Sequence, residues 1–325
     1  MKLPRRNFVY LAAGAAAVPA LSRISWAETY PTRPVRIIAP TGPGGAPDII
    51  ARVIGPWLSQ RLVQQFIVEN RSGSGNNIGT EAVVRAAPDG YTLLIASSSN
   101  TINATLYDKL NFVFLRDIAP VAGIISLPFV MVVNPSVPAK TVPEFIAHAK
   151  DNAGKISFGS PGIGTPGHVA GELFKMMAGV ELIHVPYRGG GAVVSDLLGG
   201  QVQVLFGTTS LTAEQVRAGK LRALAVTGET RWEGLPETPT VGEFVSGYEA
   251  SSLFGLGAPQ QTPAVIIDRL NREINAALDD PTLKTRLIQL GGTLLPGSPA
   301  DFGKLLADDT DKWSKVIRAA GIRTE

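Results

Sequence analysis

The residues of this chain with chemical potential gather in two glycine-rich loops. The first, Pro40-Thr41-Gly42-Pro43-Gly44-Gly45-Ala46-Pro47-Asp48, stands between the β-branched run Val35 to Ala39 and a stretch in which Ile50, Val53, Ile54, Trp57 and Leu58 fall at i, i+3, i+4, i+7 and i+8. The run reads as a buried strand, and the stretch as a helix lying on a sheet. Pro47 suits the first helical turn, with Asp48 just inside it. A strand, a glycine turn and a helix start in succession present backbone N–H groups at the positive end of a helix dipole, which makes an anion site out of backbone. Asp48 has two candidate roles there: a contact to a ligand substituent, or a favourable partner for its own helix start.

The second loop, Gly159-Ser160-Pro161-Gly162-Ile163-Gly164-Thr165-Pro166-Gly167-His168, repeats the design. Two such loops, one per α/β domain, can face each other across a cleft and close on one anion by a hinge. Gly162 to Gly167 also satisfies G-x-G-x-x-G, but a dinucleotide site wants an acid at the end of the following strand, and Leu182-Ile183-His184-Val185-Pro186 supplies none. No nucleotide cofactor is therefore expected. The nucleophile-elbow, zinc-protease and P-loop patterns are absent from the sequence. Of the three histidines, His148 is expected on a solvated helix face, His184 inside a strand bonded to a backbone carbonyl, and His168 beside the second loop, touching ligand or supporting it. They are too scattered for a zinc site. Ser97, Ser98 and Asn100 close a predicted strand and are candidates to line a pocket at the sheet edge. Arg188 follows another strand at such an edge, placed either to fork onto a carboxylate or to stand in solvent.

An α/β scaffold must position these groups. From Tyr30 onward short apolar runs alternate with helical patterns, the signature of a largely parallel sheet built from βα units. Strands are expected at Val35 to Ala39, Phe66 to Asn70, Tyr91 to Ala96, Ile156 to Gly159, Leu182 to Val185, Val202 to Phe206 and Leu221 to Val226. Ile118 to Val133 carries two apolar runs interrupted by Pro128, where the chain is expected to cross into a second domain. Ser252 to Gly257 is expected to bring it back. Residues 28–127 and 248–325 then make one domain and residues 128–247 the other. Thr141-Val142-Pro143-Glu144 has capping-box spacing and starts a helix to about Asn152. The tail reads as three helices, Val265 to Leu278, Pro281 to Leu290 and Pro299 to Ala320, the last with Asp308, Asp309, Asp311, Lys312, Lys315 and Arg318 as a solvated face. Met176 and Met177 are expected to pack in the core.

Charge and export narrow the function class. Arg5 and Arg6, the apolar run Val9 to Leu21 and the small residues at Ser25 and Ala27 read as a signal peptide over residues 1–27 with a twin-arginine flavour, which places the mature protein in the periplasm. Removing that segment leaves 26 basic against 27 acidic side chains, from totals of 30 and 27, so no basic footprint for nucleic acid or a membrane surface exists. Cysteine is absent, which excludes disulfides and thiolate chemistry.

The order of motifs is similar to that of the solute-binding receptors of tripartite tricarboxylate transporters, the Bug family. The matching stretches are Tyr30-Pro31-Thr32-Arg33-Pro34-Val35, Gly42-Pro43-Gly44-Gly45 with Asp48, Asn77-Ile78-Gly79-Thr80-Glu81, and Ala87-Pro88-Asp89-Gly90-Tyr91-Thr92-Leu93-Leu94. The loop from Gly159 to His168, Val185-Pro186-Tyr187-Arg188-Gly189, Leu197-Leu198-Gly199-Gly200-Gln201-Val202, the run from Ala218 to Val226 and Pro239-Thr240-Val241 complete the set. The resemblance implies a two-domain fold of the type II periplasmic-binding-protein kind: two doubly wound α/β domains joined by crossing strands, with a ligand cleft between them. It implies a monomeric receptor without catalysis, cofactor or metal, which captures a small carboxylate and delivers it to membrane subunits. Carried over, Pro43, Gly44, Gly45 and Asp48 form one side of the site, and Ser160, Gly162, Gly164, Thr165 and His168 the other. The chain departs from the family at Gly207, where an acid is frequent, at Gly191 and Ala192, where proline is usual, and at Gly167, where serine is common. A missing acid at Gly207 disfavours an amine-bearing ligand and tolerates a second carboxylate or an aromatic acid. The alternatives are an exported α/β enzyme using Ser98, His168 and an acid, and a receptor that presents ligand to a sensor.

Overall fold

The computed structural model describes residues 30–324; the expected leader and its cleavage point lie outside them. The chain begins as read: β1 (Val35–Ala39), α1 (Ala46–Leu62) and β2 (Phe66–Asn70). Ile50, Ile54 and Leu58 of α1 are fully buried against Ile37 and Leu93, each contributing on the order of 2 kcal/mol by burial. A short 3-10 turn (Ser74–Asn76) leads into α2 (Asn77–Val84), β3 (Thr92–Ser97), α3 (Ser98–Leu106) and α4 (Phe114–Asp117).

The strand β4 (Ile118–Val133) then runs unbroken for 16 residues. Pro128 does not interrupt it, contrary to the sequence reading, because the ladder changes partners there. Ile118 to Pro128 pair with β9 (Ser251–Pro259), while Phe129 to Val133 pair with β7 (Val204–Thr208) and β8 (Arg222–Val226). A residue without an N–H is tolerated at such a changeover. Between β4 and β7 come α5 (Val142–Asp151), β5 (Ser157–Ser160), α6 (Pro166–Ala178), β6 (Ile183–Pro186) and α7 (Gly190–Leu198), and α8 (Thr209–Arg217) precedes β8. At the start of α5 half of the expected capping box forms: Thr141 Oγ1 accepts the Glu144 N–H, but the Glu144 carboxylate reaches past the N-cap to accept the Lys140 N–H instead of that of Thr141. The tail is α9 (Ala264–Asp279), α10 (Pro281–Ile288), a two-residue strand β10 (Thr293–Leu294) and α11 (Pro299–Ala319).

The strand order is β2-β1-β3-β9-β4-β7-β5-β6, with β8 and β10 also on β4. The registers show where the parallel strands end. Ser97 at the end of β3 opposes Phe254, Phe254 opposes Ile125, and Ser251 at the start of β9 opposes Pro128. On the other side Thr208 at the end of β7 opposes Phe129. Both sets of parallel strands therefore point their C-terminal ends toward the crossing at Pro128, the edge at which open α/β sheets bind ligands.

Each lobe has its own core, one around Ile37, Ile54 and Leu270, the other around Phe145, Phe158 and Phe174. The last helix joins the two. Phe302 and Leu306 of α11 pack with Ile38 and Leu94 of the first lobe, while Trp313, Val316 and Ile317 join the core of the second. Ile102 and Leu106 of α3 reach that second core as well. Three expectations change here. Asp309 is buried rather than solvated: its carboxylate accepts the Thr101 hydroxyl at 2.5 Å. Burial raises its pKa to about 6 against the opposing hydrogen bonds of Thr101 and Ser98. Met176 and Met177 are exposed on α6 instead of packed, because the apolar stripe turns past them at the last helical turn. His148 is half-buried, with its Nδ1 3.3 Å from Asn152 Nδ2. No helix among the described residues is long and apolar enough to cross a membrane.

Candidate ligand-binding cleft

The first loop is braced from below by Asp48. Its Oδ2 accepts the Gly44 N–H at 2.9 Å, and its Oδ1 accepts from Arg52 Nε at 2.9 Å and Asn70 Nδ2 at 2.9 Å. Asn70 Nδ2 also donates to Thr41 O at 3.1 Å, so the two ends of the loop are tied to one carboxylate. Burial opposes the charge of Asp48, but the donors from Arg52, Gly44 and Asn70 outweigh it and hold the carboxyl below its ordinary pKa. Of its two candidate roles, bracing accounts for every oxygen contact among the described residues. The Gly45 amide is engaged as well, its N–H donating to Gly42 O at 3.2 Å. Pro43 stands in the loop without an N–H to offer. The donors left over are the N–H groups of Gly42 in the loop and of Ala46 and Asp48 at the helix start, which have no partner among the described residues.

The second loop is braced by side chains of a different kind. Ser160 Oγ lies 2.7 Å from His184 Nε2, accepts the Gly162 N–H at 3.2 Å and donates to Gly162 O at 3.0 Å. The direction of the Ser160–His184 bond follows the His184 tautomer, since either group can donate the proton. The contact corrects the expected backbone-carbonyl partner of His184, which half-burial in a four-residue strand beside Ser160 explains. His168 Nδ1 accepts the Gly164 N–H at 2.9 Å, which leaves its proton on Nε2, 3.7 Å from Glu172 Oε1. The two imidazoles stack at 3.6 Å and 12°. Burial, and then the neighbouring His168, lower the His184 pKa to about 3. Glu172 is held below its ordinary pKa: burial opposes the charge, and His168 and Lys175, the latter 2.8 Å away, overcome it.

Thr165 stands at the N-cap of α6 but its side chain ties down the loop instead, its Oγ1 donating to Gly162 O at 2.8 Å. Gly164 takes φ +70° and packs on the first lobe, where an added Cβ would stand 2.0 Å from Leu106 Cδ2. The serine that is common in the family at Gly167 would not fit here, because a Cβ would meet Phe206 O at 2.5 Å.

The remaining predicted residues divide in two. Ser98 and Asn100 are buried and hold α3 in place. Ser98 Oγ accepts the Leu253 N–H at 2.9 Å, while Asn100 accepts the Ser97 N–H at 2.9 Å and donates to Thr80 Oγ1 at 2.7 Å. Ser97 Oγ is buried without a partner. Arg188 is exposed after β6 and forms no hydrogen bond or ion pair among the described residues. Its neighbour Tyr187 donates to Asp196 at 2.8 Å, so that acid is already engaged. Gly207 lies in β7 opposite Val130, just before Thr208 caps α8.

A cavity of about 250 Å³ brings the start of α1 (Ala46 and Ile49) to the start of α8 (Thr208, Thr209 and Ser210), with Leu127 of the crossing strand between them. Sequence reading missed Thr209, whose hydroxyl donates to Leu290 O at 2.6 Å; its place after an apolar strand was the available signal. The second glycine loop does not line this cavity. It closes against α3 instead. A larger cavity of about 700 Å³ is lined by Ser126 and Pro128, the alternate face of β4, and contains none of the predicted site residues.

Two α/β lobes joined through shared strands, with their sheet edges facing the crossing, define a periplasmic-type solute-binding protein rather than an enzyme. The sequence profile of the tripartite tricarboxylate transporter family receptor matches residues 50–322, and the chain belongs to that family. It is 36% identical over 302 residues to protein BugT of Bordetella pertussis, across 91% of this chain and 92% of that one. Among solved structures it is similar to Rpa4515 of R. palustris with adipate, at TM-score 0.82 and 34% identity, over 90% of this chain and 99% of the other. It is also similar to MatC of Rhodopseudomonas palustris with bound malate, at TM-score 0.77 and 28% identity, over 89% and 100%. The family is one of receptors, and a further similar structure, at TM-score 0.78 and 31% identity over 91% of this chain and 100% of the other, is the periplasmic binding protein BugD.

Proposed function

We propose that the chain is a periplasmic receptor that closes its two lobes on a small carboxylate and hands it to the membrane subunits of a tripartite tricarboxylate transporter. The observation that carries this reading is the approach of two helix starts, those of α1 and α8, across one cavity at the lobe crossing. Each offers N–H groups and the positive end of a helix dipole, and a carboxylate is the small group both favour. The relatives with bound adipate and malate agree in ligand class. In this reading Gly42 to Gly45 lead into the cavity wall at Ala46, the amides of Ala46 and Asp48 donate to the ligand, Arg188 meets its charge at the rim, and Gly162 to Gly164 act away from the cavity, closing the second loop against α3. Residues 28–127 with 248–325 act as one lobe and 128–247 as the other, with the end of α11 as a strap between them.

Thermal unfolding of the mature chain against mono-, di- and tricarboxylates, amino acids and aromatic acids tests it. A ligand at 100 times its dissociation constant adds about 2.7 kcal/mol, a rise of several degrees. A shift confined to carboxylates is the expected result. No shift with any acid would overturn the reading.

A further inference from the structure

The lobes leave two spaces at the crossing, and the wall between them is thin. The cavity of about 250 Å³ at the helix starts takes Leu127 from β4 and Leu290 from the tail. The groove of about 700 Å³ takes Ser126 and Pro128 from the same strand, and Gly291 and Gly292 from the same tail segment. Alternate residues of a strand face opposite ways, so β4 divides the two spaces by its own pleat. The tail divides them within one step, between Leu290 and Gly291. Among the described residues, Trp232 alone lines both.

The indole spans this boundary from the second lobe to the first. Trp232 belongs to the core of Val130 and Leu205 and is 9% exposed. A Cβ on Gly234 of its own loop would lie 2.3 Å from Trp232 Cζ2, and one on Gly291 of the first lobe 3.1 Å from Cε2. The ring therefore lies against two glycines, one from each lobe. The tail segment is fixed beside it: the Thr209 hydroxyl donates to Leu290 O at 2.6 Å, the Gly291 N–H donates to Ile288 O at 2.8 Å, and a Cβ on Gly292 would stand 2.3 Å from Ser126 O. The loop that carries Trp232 is held in turn, since the Leu235 N–H donates to Trp232 O at 3.0 Å and Arg231 pairs with Glu243 at 2.8 Å. Two parts of the wall are thus main chain, in the sheet or tied to it. The third is a side chain, and its size can be changed.

We propose that Trp232 is the partition that sets the length of acid this receptor accepts: the indole ends the cavity, and a longer ligand would have to pass it into the groove. The assignment rests on the carboxylate-receptor reading and deepens it from ligand class to ligand length. A cavity of about 250 Å³ lies just below the roughly 300–1,000 Å³ of ordinary ligand pockets, which suits an acid of a few carbons. Beyond the indole the groove offers Leu253, Ile288, Leu294 and Leu295, apolar residues against which a chain can lie. Each methylene that finds such room gains about fourfold in affinity, whereas one that finds none forces its neighbours apart. Truncating the indole joins the two spaces. Added length then strengthens binding where it had weakened it.

The test is titration calorimetry of the mature chain with two straight-chain series, succinate, adipate, suberate and sebacate, and butyrate, hexanoate, octanoate and decanoate. Wild type, Trp232→Leu and Trp232→Ala are compared by the ratio of affinities along a series, which cancels any loss common to its members. The wild type is expected to bind a short member best and to weaken by about tenfold or more at the longest. In Trp232→Ala the optimum moves to longer acids, with a gain of about fourfold for each methylene beyond the wild-type limit. Trp232→Leu, which keeps more of the apolar burial, moves the same way by less. Thermal unfolding of each ligand-free variant shows whether it is folded, and the wild-type profile decides by itself where a variant is not. A wild type whose affinity rises along the whole series overturns the partition alone. So does a folded variant that keeps the wild-type profile or loses affinity equally for every member. A wild type that binds neither series overturns the receptor reading and the partition together.

Discussion

The two glycine loops share one backbone plan and differ in what holds them. The first rests on an ionised carboxylate, Asp48, fixed by Arg52, Asn70 and the Gly44 amide. The second rests on neutral imidazoles, His168 and His184, backed by Glu172 and Lys175. The first leans on its own lobe, whereas the second reaches across and seats Gly164 on Leu106 of the other. The same strand-glycine-helix pattern can thus be a fixed anion cradle on one side and a closing face on the other. The brace, not the glycine count, separates the roles.

The sharpest way to break the comparison is to spoil the closing face. Gly164 combines φ +70° with the Leu106 contact, so Gly164→Val introduces both a strained backbone and a clash. It is expected to cost about 3 kcal/mol or more in urea unfolding and to abolish carboxylate binding in calorimetry. Gly42, with nothing within 4 Å of an added Cβ, supplies the control in the first loop, and Gly42→Ala should lie within about 0.5 kcal/mol of the parent. Comparable losses at the two positions would remove the distinction between cradle and face.

Next in size is the carboxylate brace. Asp48→Asn keeps the shape but weakens three hydrogen bonds and leaves Arg52 without its ion pair, for an expected loss of about 2 kcal/mol at pH 7. Because the folded-state pKa of Asp48 is depressed, its contribution is present above the unfolded value of roughly 3.9 and is lost as pH falls through the folded value. The variant's deficit should therefore be constant from pH 8 to about pH 5 and shrink only in stronger acid. Guanidinium titrations at a series of pH values check this, and a deficit that changes near pH 6 would assign the effect elsewhere.

Much of this arrangement was legible in the sequence, and the reasons differ by element. Periodicity located α1 because its stripe faces a single sheet, and β1 because β-branched runs between turns have few other uses. Pro128 misled because a proline in a strand is read from one ladder, whereas β4 changes ladders at that residue. Asp309 misled because a local charge pattern says nothing of Thr101, 208 residues away in the chain. At the site, both glycine loops were visible from spacing, but the brace partners Asn70 and His184 were not, since tertiary pairing is decided by register between strands. Ser98 and Asn100 carried the right chemistry for a pocket and are committed to α3 and β9. Polar residues at a sheet edge serve the helix that follows before they serve a ligand.

The smallest expected effect bears on the imidazole brace and its pH dependence. His184 titrates near 3 in the folded protein and near 6.5 when unfolded, so between those values the unfolded chain binds the extra proton. Stability from this group is complete above about pH 6.5 and declines as pH falls, by at most about 1.4 kcal/mol per unit. Glu172 works against this shift by favouring a protonated ring, while Lys175 adds to it by disfavouring one. His184→Gln retains a hydrogen-bonding partner for Ser160 and removes the titration. Wild type and variant should converge by about 1 kcal/mol between pH 7 and pH 5.5, a window in which Asp48 stays ionised and the first loop contributes no change. Parallel curves over that window would show that the second loop is no more sensitive to acid than the first, and the contrast between a charged and a neutral brace would lose its thermodynamic content.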